Sequence, residues 1–280
     1  MTIHLIQELR ELTGAGMNDC KQAIAQAEGD LQKAIDWLKV KGLAIANNLT
    51  GRTASEGRIA ILASKQLAIM MEVNSETDFV ANSPDFQTFT VTAAGAFLDA
   101  ILNGTTFQAE NVEKQRQALV AKTKENIVVR RWWAEQAFAP EARVFTYTHS
   151  NAKIGVLLTL LAPTVETSDL PEFSELGDNL AMQVAAMGPL AVSSDRLLKE
   201  DLDRQHKIFQ TQLEELKKPT TAWPKILEGK MAKWYQTACL LDQEAVWLSK
   251  NTVKQAIQGV AQKLGGDIQV VNFIRCQVGT

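Results

Sequence analysis

The sequence predicts an α+β protein: an N-terminal three-helix domain, then a duplicated ββα core with antiparallel strands and an inserted helical hairpin. Three observations predict it. Apolar residues in the first 43 positions recur at three- and four-residue spacing between glycine breaks. Beyond residue 57 the pattern changes to short apolar runs, and the order strand, strand, X-Pro-acid-Phe, helix occurs twice.

Leu5, Leu9 and Leu12 mark a first helix, which Thr13-Gly14-Ala15-Gly16 breaks, because glycine accepts the positive φ of a helix end at low steric cost. Met17 to Ala27 is a second helix, with Cys20, Ala23, Ile24 and Ala27 on one face. Gly29 stops it, Asp30 is placed to cap a third, and Leu31, Ala34, Ile35 and Leu38 form that helix's stripe. These helices make a domain over 1–43, and the small, polar residues 44–57 read as a linker.

Strands follow at Arg58–Ala63 and Leu67–Val73, the second nearly all apolar and therefore central. An amphipathic helix runs from Pro84 to about Ile101, and Val112–Arg131 reads as one long helix. This first core repeat covers 58–140. The second covers 141–280, where Glu141-Ala142-Arg143-Val144 echoes Glu56-Gly57-Arg58-Ile59 and Leu170-Pro171-Glu172-Phe173 echoes Ser83-Pro84-Asp85-Phe86. Proline suits the first helical turn, and the acid beside it suits the positive end of the helix dipole. Helical patterns at Asp195–Leu216 and Pro224–Leu241 meet across Pro219-Thr220-Thr221, predicting an antiparallel hairpin at about 195–241 with Lys217-Lys218 as a solvated tip. A helix at Thr252–Leu264 and a β-branched strand at Ile268–Val278 complete the repeat.

The 280 residues are 46% hydrophobic and 22% charged, ample for a packed core, and no apolar run is long enough to span a membrane. The N-terminal segment mixes Glu8, Arg10 and Glu11 into its apolar positions, unlike a secretory or transit peptide, which places the chain in the cytoplasm. Cys20, Cys239 and Cys276 lack CxxC or CxxH spacing, so they read as reduced, partly buried small hydrophobes rather than a disulfide framework or metal site. Net charge is −3 with lysines and arginines interspersed among acids, which disfavours direct nucleic-acid binding. No phosphate-binding glycine loop, nucleophile elbow or zinc-binding helix motif occurs, and His4, His149 and His206 stand far apart. Neither enzyme activity nor a cofactor is expected, and no membrane partner.

What remains is Asn74-Ser75-Glu76-Thr77-Asp78-Phe79-Val80-Ala81, which puts a carboxylate beside a phenyl ring at the C-terminal end of the central strand. By residue type alone Asp78 caps a turn and Phe79 folds into the core. Position argues for an outward role, because loops leaving rigid strands often carry function, and the matching loop Ala162–Asp169 has no aromatic residue. Met17 reads equally as local packing, His149 beside Ser150-Asn151 as a solvated turn residue, and Trp132-Trp133 as packing rather than base stacking.

The segment Glu8 to Met17 with Asp19-Cys20-Lys21, the stretch Glu72 to Ala81, Glu125-Asn126-Ile127 with Arg130-Arg131, Tyr147-Thr148-His149, Ala181 to Met187, Ile226 to Lys230 and Cys239 to Gln243 together resemble the elongation factor Ts family, in that family's order. The resemblance implies a guanine-nucleotide exchange factor for the GTPase elongation factor Tu, with a ubiquitin-associated-like (UBA-like) N-terminal domain. It implies that Asp78 and Phe79, flanked by Thr77 and Val80, push between helices of the GTPase near its magnesium. It also implies that Arg10, Met17 and Lys21 face the nucleotide-binding domain and that His149 faces the third domain. The sequence departs from the family at the lysine-poor linker Ala46-Asn47-Asn48-Leu49-Thr50, at Asn18 in place of a second methionine, at Lys124 in place of glycine, and in ending at Val278-Gly279-Thr280 without an extra helix. Weaker or slower association is the expectation from these departures. Two other classes remain open: an adaptor that binds without promoting release, and an enzyme whose site assembles from distant residues.

Overall fold

A computed structural model describes residues 2–216 and 219–280; Lys217 and Lys218, read above as a hairpin tip, lie outside the described residues. The chain forms N-terminal helices followed by two antiparallel three-stranded sheets, each with a helix laid on it.

Helices α1 (Thr2–Thr13), α2 (Met17–Gln26) and α3 (Leu31–Leu49) close around Leu9, Cys20, Ala23, Ile24 and Ala34. Gly14 and Gly29 take φ of +64° and +87° at the two breaks, and Asp30 caps α3 by accepting from the Lys33 amide at 3.0 Å. Helix α3 runs on to Leu49, into the segment read as the linker 44–57. Ala46 and Leu49 explain the difference. Both are buried against the body of the protein, so an apolar edge that looked too weak alone acquires a partner.

The first sheet has the order β1 (Glu56–Ala63), β2 (Leu67–Ser75), β3 (Val128–Gln136). Every residue of β2 is buried, as a central strand requires. Between β2 and β3 come the short α4 (Asp78–Ala81), then α5 (Pro84–Leu102) and α6 (Ala109–Thr123). The expected long helix Val112–Arg131 is therefore wrong in its second half. Lys124, at φ +60°, ends α6 in the left-handed conformation, and β3 follows. Its sequence hides the strand, because Val128-Val129, Arg130-Arg131 and Trp132-Trp133 are doublets that put the same residue types on both faces and erase the period of two. Trp132 lies on the Phe97 ring at 4.1 Å between centroids.

The second sheet has the order β4 (Ala142–Thr148), β5 (Ile154–Leu161), β6 (Gln269–Gln277), with α7 (Pro171–Met187) packed on β4 and β5. Helices α8 (Lys199–Glu215) and α9 (Trp223–Ala238) pack together, and α10 (Val253–Leu264) precedes β6. The sheets meet across Ile59, Ala68, Met70, Val144, Leu157 and Cys276. Gly155 makes the approach possible: a Cβ there would stand 2.7 Å from Ile59 Cγ2 and 2.8 Å from Met70 Sδ.

Candidate functional site

Strand β2 delivers the chain to a tight connection in which two helix starts follow each other. Thr77 caps α4, its hydroxyl accepting from the Val80 amide at 3.3 Å, and Ser83 caps α5 by accepting from the Phe86 amide at 3.4 Å. Ser83 Oγ also donates to the Val80 carbonyl at 2.7 Å, locking one turn to the next. Ala81 and Phe86 are fully buried, so the single turn of α4 is anchored on one side. The other side faces solvent. Phe79 is 84% exposed, and Asp78 and Thr77 are exposed beside it, with Val80 half-buried against the core. A bare phenyl ring on an anchored turn is an unsatisfied apolar surface, the usual property of a contact residue. The equivalent connection after β5 holds a 3-10 turn, Thr167–Asp169, with no aromatic residue, and its Asp169 is spent on Lys65 and Arg143 at 2.8 and 3.1 Å.

Among the described residues no three His, Cys, Asp or Glu side chains are placed to hold a metal ion, and no helix is long and apolar enough to cross a membrane. A family model for Elongation factor TS matches residues 76–280, beginning at this connection. The chain is 35% identical to the Elongation factor Ts of Desulfovibrio desulfuricans over 281 residues, 99% of this chain and 98% of that one. It is 37% identical to those of Symbiobacterium thermophilum and Clostridioides difficile, over its whole length and 92% and 93% of theirs.

The chain belongs to the elongation factor Ts family.

These are elongation factors of protein biosynthesis with guanine-nucleotide exchange function. The remaining candidate residues singled out in the sequence lie at two other places. Met17 opens α2 at 42% exposure, with Lys21 exposed one turn later on the same side, and Arg10 is exposed in the last turn of α1. His149 is exposed in the turn between β4 and β5, where Tyr147 Oη lies 3.2 Å from its Nδ1. The four residues Thr77 to Val80 therefore form one turn, whereas the N-terminal trio and His149 are separate surfaces on different elements.

Between Met17 and Lys21, Asp19 points back into the protein. It pairs with Lys41 at 2.8 Å and Lys124 at 3.2 Å, and the Lys41 hydrogen bond leads the interactions that hold its carboxyl below the ordinary aspartate range, against a smaller opposing effect of burial. Lys124 thus ties the N-terminal helices to the end of α6. One residue on, Glu125 reaches the Asp78-Phe79 connection itself, a link invisible in sequence because its partners lie 48 and 49 positions away.

Proposed function

We propose that this chain promotes GDP release from elongation factor Tu during translation elongation, in the cytoplasm, by inserting Asp78 and Phe79 near the GTPase's magnesium and phosphate site. The single observation that carries this reading is the 84% exposure of Phe79 on a turn anchored by buried Ala81 and Phe86. A GTPase holds its nucleotide through loop amides, a lysine and a magnesium ion bridging the phosphates, so release can be hastened by displacing that geometry with no catalytic group of the factor's own. Phe79 supplies the rigid wedge and Asp78 a charge that competes around the metal. The factor is in this sense not an enzyme. By linkage, the nucleotide weakens the factor's binding as much as the factor weakens the nucleotide's.

In this reading Arg10, Met17 and Lys21 on a UBA-like bundle (1–43) meet the nucleotide-binding domain, and His149 meets the third domain of the GTPase. Neither nucleic acid nor membrane is engaged directly. The core is read as a duplicated ββα unit, 58–140 and 141–280, with a hairpin inserted in the second. The shared strand order of the two sheets, and a helix beginning at proline after each central strand, support that reading.

The test is the release of fluorescent GDP from elongation factor Tu at saturating factor. The native chain accelerates it, and Phe79→Ala, with an unchanged circular dichroism spectrum, loses about 2 kcal/mol of barrier reduction or more, roughly thirtyfold in rate. Complex formation without acceleration by the native chain would identify an adaptor instead.

A further inference from the structure

The turn that presents Phe79 is too short to hold its own shape, since the first turn of a helix fixes several dihedral angles for one hydrogen bond. It is held from outside by Glu125. Glu125 Oε2 accepts from the Glu76 and Thr77 amides at 3.1 and 3.0 Å, and Oε1 accepts from the Thr77 hydroxyl at 2.6 Å. All three groups are donors, so an ionised carboxylate, which accepts on both oxygens and donates on neither, satisfies them together. Because the Thr77 hydroxyl gives its proton to Glu125, its lone pair is free for the Val80 amide, the capping bond of α4.

The chain just after Glu125 is itself fixed. Glu76 returns the contact by accepting from the Asn126 amide at 2.7 Å, Asn126 Nδ2 donates to the Arg52 carbonyl at 2.8 Å, and Arg116 Nη1 donates to the carbonyl of fully buried Ile127 at 2.8 Å.

We propose that Glu125 is a positioning residue for nucleotide release: it aims Asp78 and Phe79 at the GTPase through Thr77 while touching neither nucleotide nor metal. The proposal rests on the reading of Asp78 and Phe79 as the inserted pair. Its test pairs the maximal rate and half-saturating concentration of fluorescent GDP release with amide hydrogen exchange of the full chain alone. Glu125→Gln, left with one acceptor oxygen, speeds exchange at the amides of residues 76, 77 and 80. It lowers the maximal rate roughly tenfold, the loss expected of a charge-assisted hydrogen bond, with half-saturation unchanged. Glu125→Asp keeps the acceptor chemistry at shorter reach and restores part of the rate. Should Glu125→Gln fail to fold, Thr77→Val, which removes the hydroxyl that links Glu125 to the Val80 amide, speeds exchange at residue 80 and lowers the maximal rate in the same way. Unchanged amides, a native maximal rate despite loosened amides, or an aspartate variant no better than the glutamine one each overturn the proposal. A silent Phe79→Ala removes the insertion reading, whereas strong dependence on Phe79 with a silent Glu125→Gln removes the positioning role alone.

Discussion

Glu72 is a buried acid in the middle of an apolar strand, and its surroundings explain why it is tolerated. Burial pushes its carboxyl up, but donors outweigh that: Arg131 Nε at 2.6 Å, the Gly279 amide at 3.1 Å, Asn74 Nδ2 at 3.1 Å and Cys276 Sγ at 3.3 Å. The net result is a carboxyl held below the ordinary glutamate range. A folded value below the unfolded one means a contribution fully present above the unfolded value and lost as pH falls through the folded one. Glu72→Gln is therefore expected to lower stability at neutral pH by about 1–3 kcal/mol. Thermal melts from pH 7 down to about pH 3 should show the gap from native narrowing in acid; a constant gap would mean the charge contributes nothing. The same site pushes the Cys276 thiol up to about 12, chiefly through burial and then through the facing carboxylate. None of this was legible from the local sequence. Glu72 sits in a run that reads as a central strand, and three of its four donors are 59, 204 and 207 positions away, just as those of Glu125 are distant.

Helix α6 and strand β3 show where sequence patterns mislead and where a departure is compensated. Helix starts that depend on nearby residues were legible where Asp30 caps α3 and Pro84 opens α5, while the Ser83 cap and the Thr252–Gln255 capping box emerged only in the structure. Strand β3 was not, because its doublets carry no period, and the end of α6 was masked by a lysine in a conformation that glycine prefers. A left-handed L-residue costs about 1–2 kcal/mol. In return Lys124 pairs with Asp19, but its side chain is half-exposed, so the pair contributes about 0.2–1 kcal/mol. Lys124→Gly should thus leave the thermal midpoint unchanged or raise it, while limited proteolysis cuts faster near Gly51-Arg52 as the N-terminal helices lose a tether. A clear fall in midpoint would show that the ion pair outweighs the backbone strain.

Across the molecule, the strand pairs β1–β2 and β4–β5 were foreseen from their matching patterns, but the packing of the two sheets on each other was not, since Gly155 gives no sign in sequence of what it lies against. Gly155→Ala forces a methyl to within 2.7 Å of Ile59 Cγ2 and should lower stability by about 1–3 kcal/mol. A reduced urea midpoint with unchanged slope is the expected result, and an unchanged midpoint would mean that the interface yields at no cost. The Phe79 turn stays in place in that variant because its anchors, Ala81 and Phe86, belong to a different cluster. The Gly279 contact to Glu72 also sets a schedule for synthesis. At about 5–20 residues per second, the 207 positions between them take roughly 10–40 s to make; of the carboxylate's donors Asn74 is made at once, Arg131 comes 59 positions after Glu72, and Cys276 and Gly279 come last. The strand that leads into the Phe79 turn therefore acquires the last two donors to its buried carboxylate only once the C-terminal segment that holds Cys276 and Gly279 has been made.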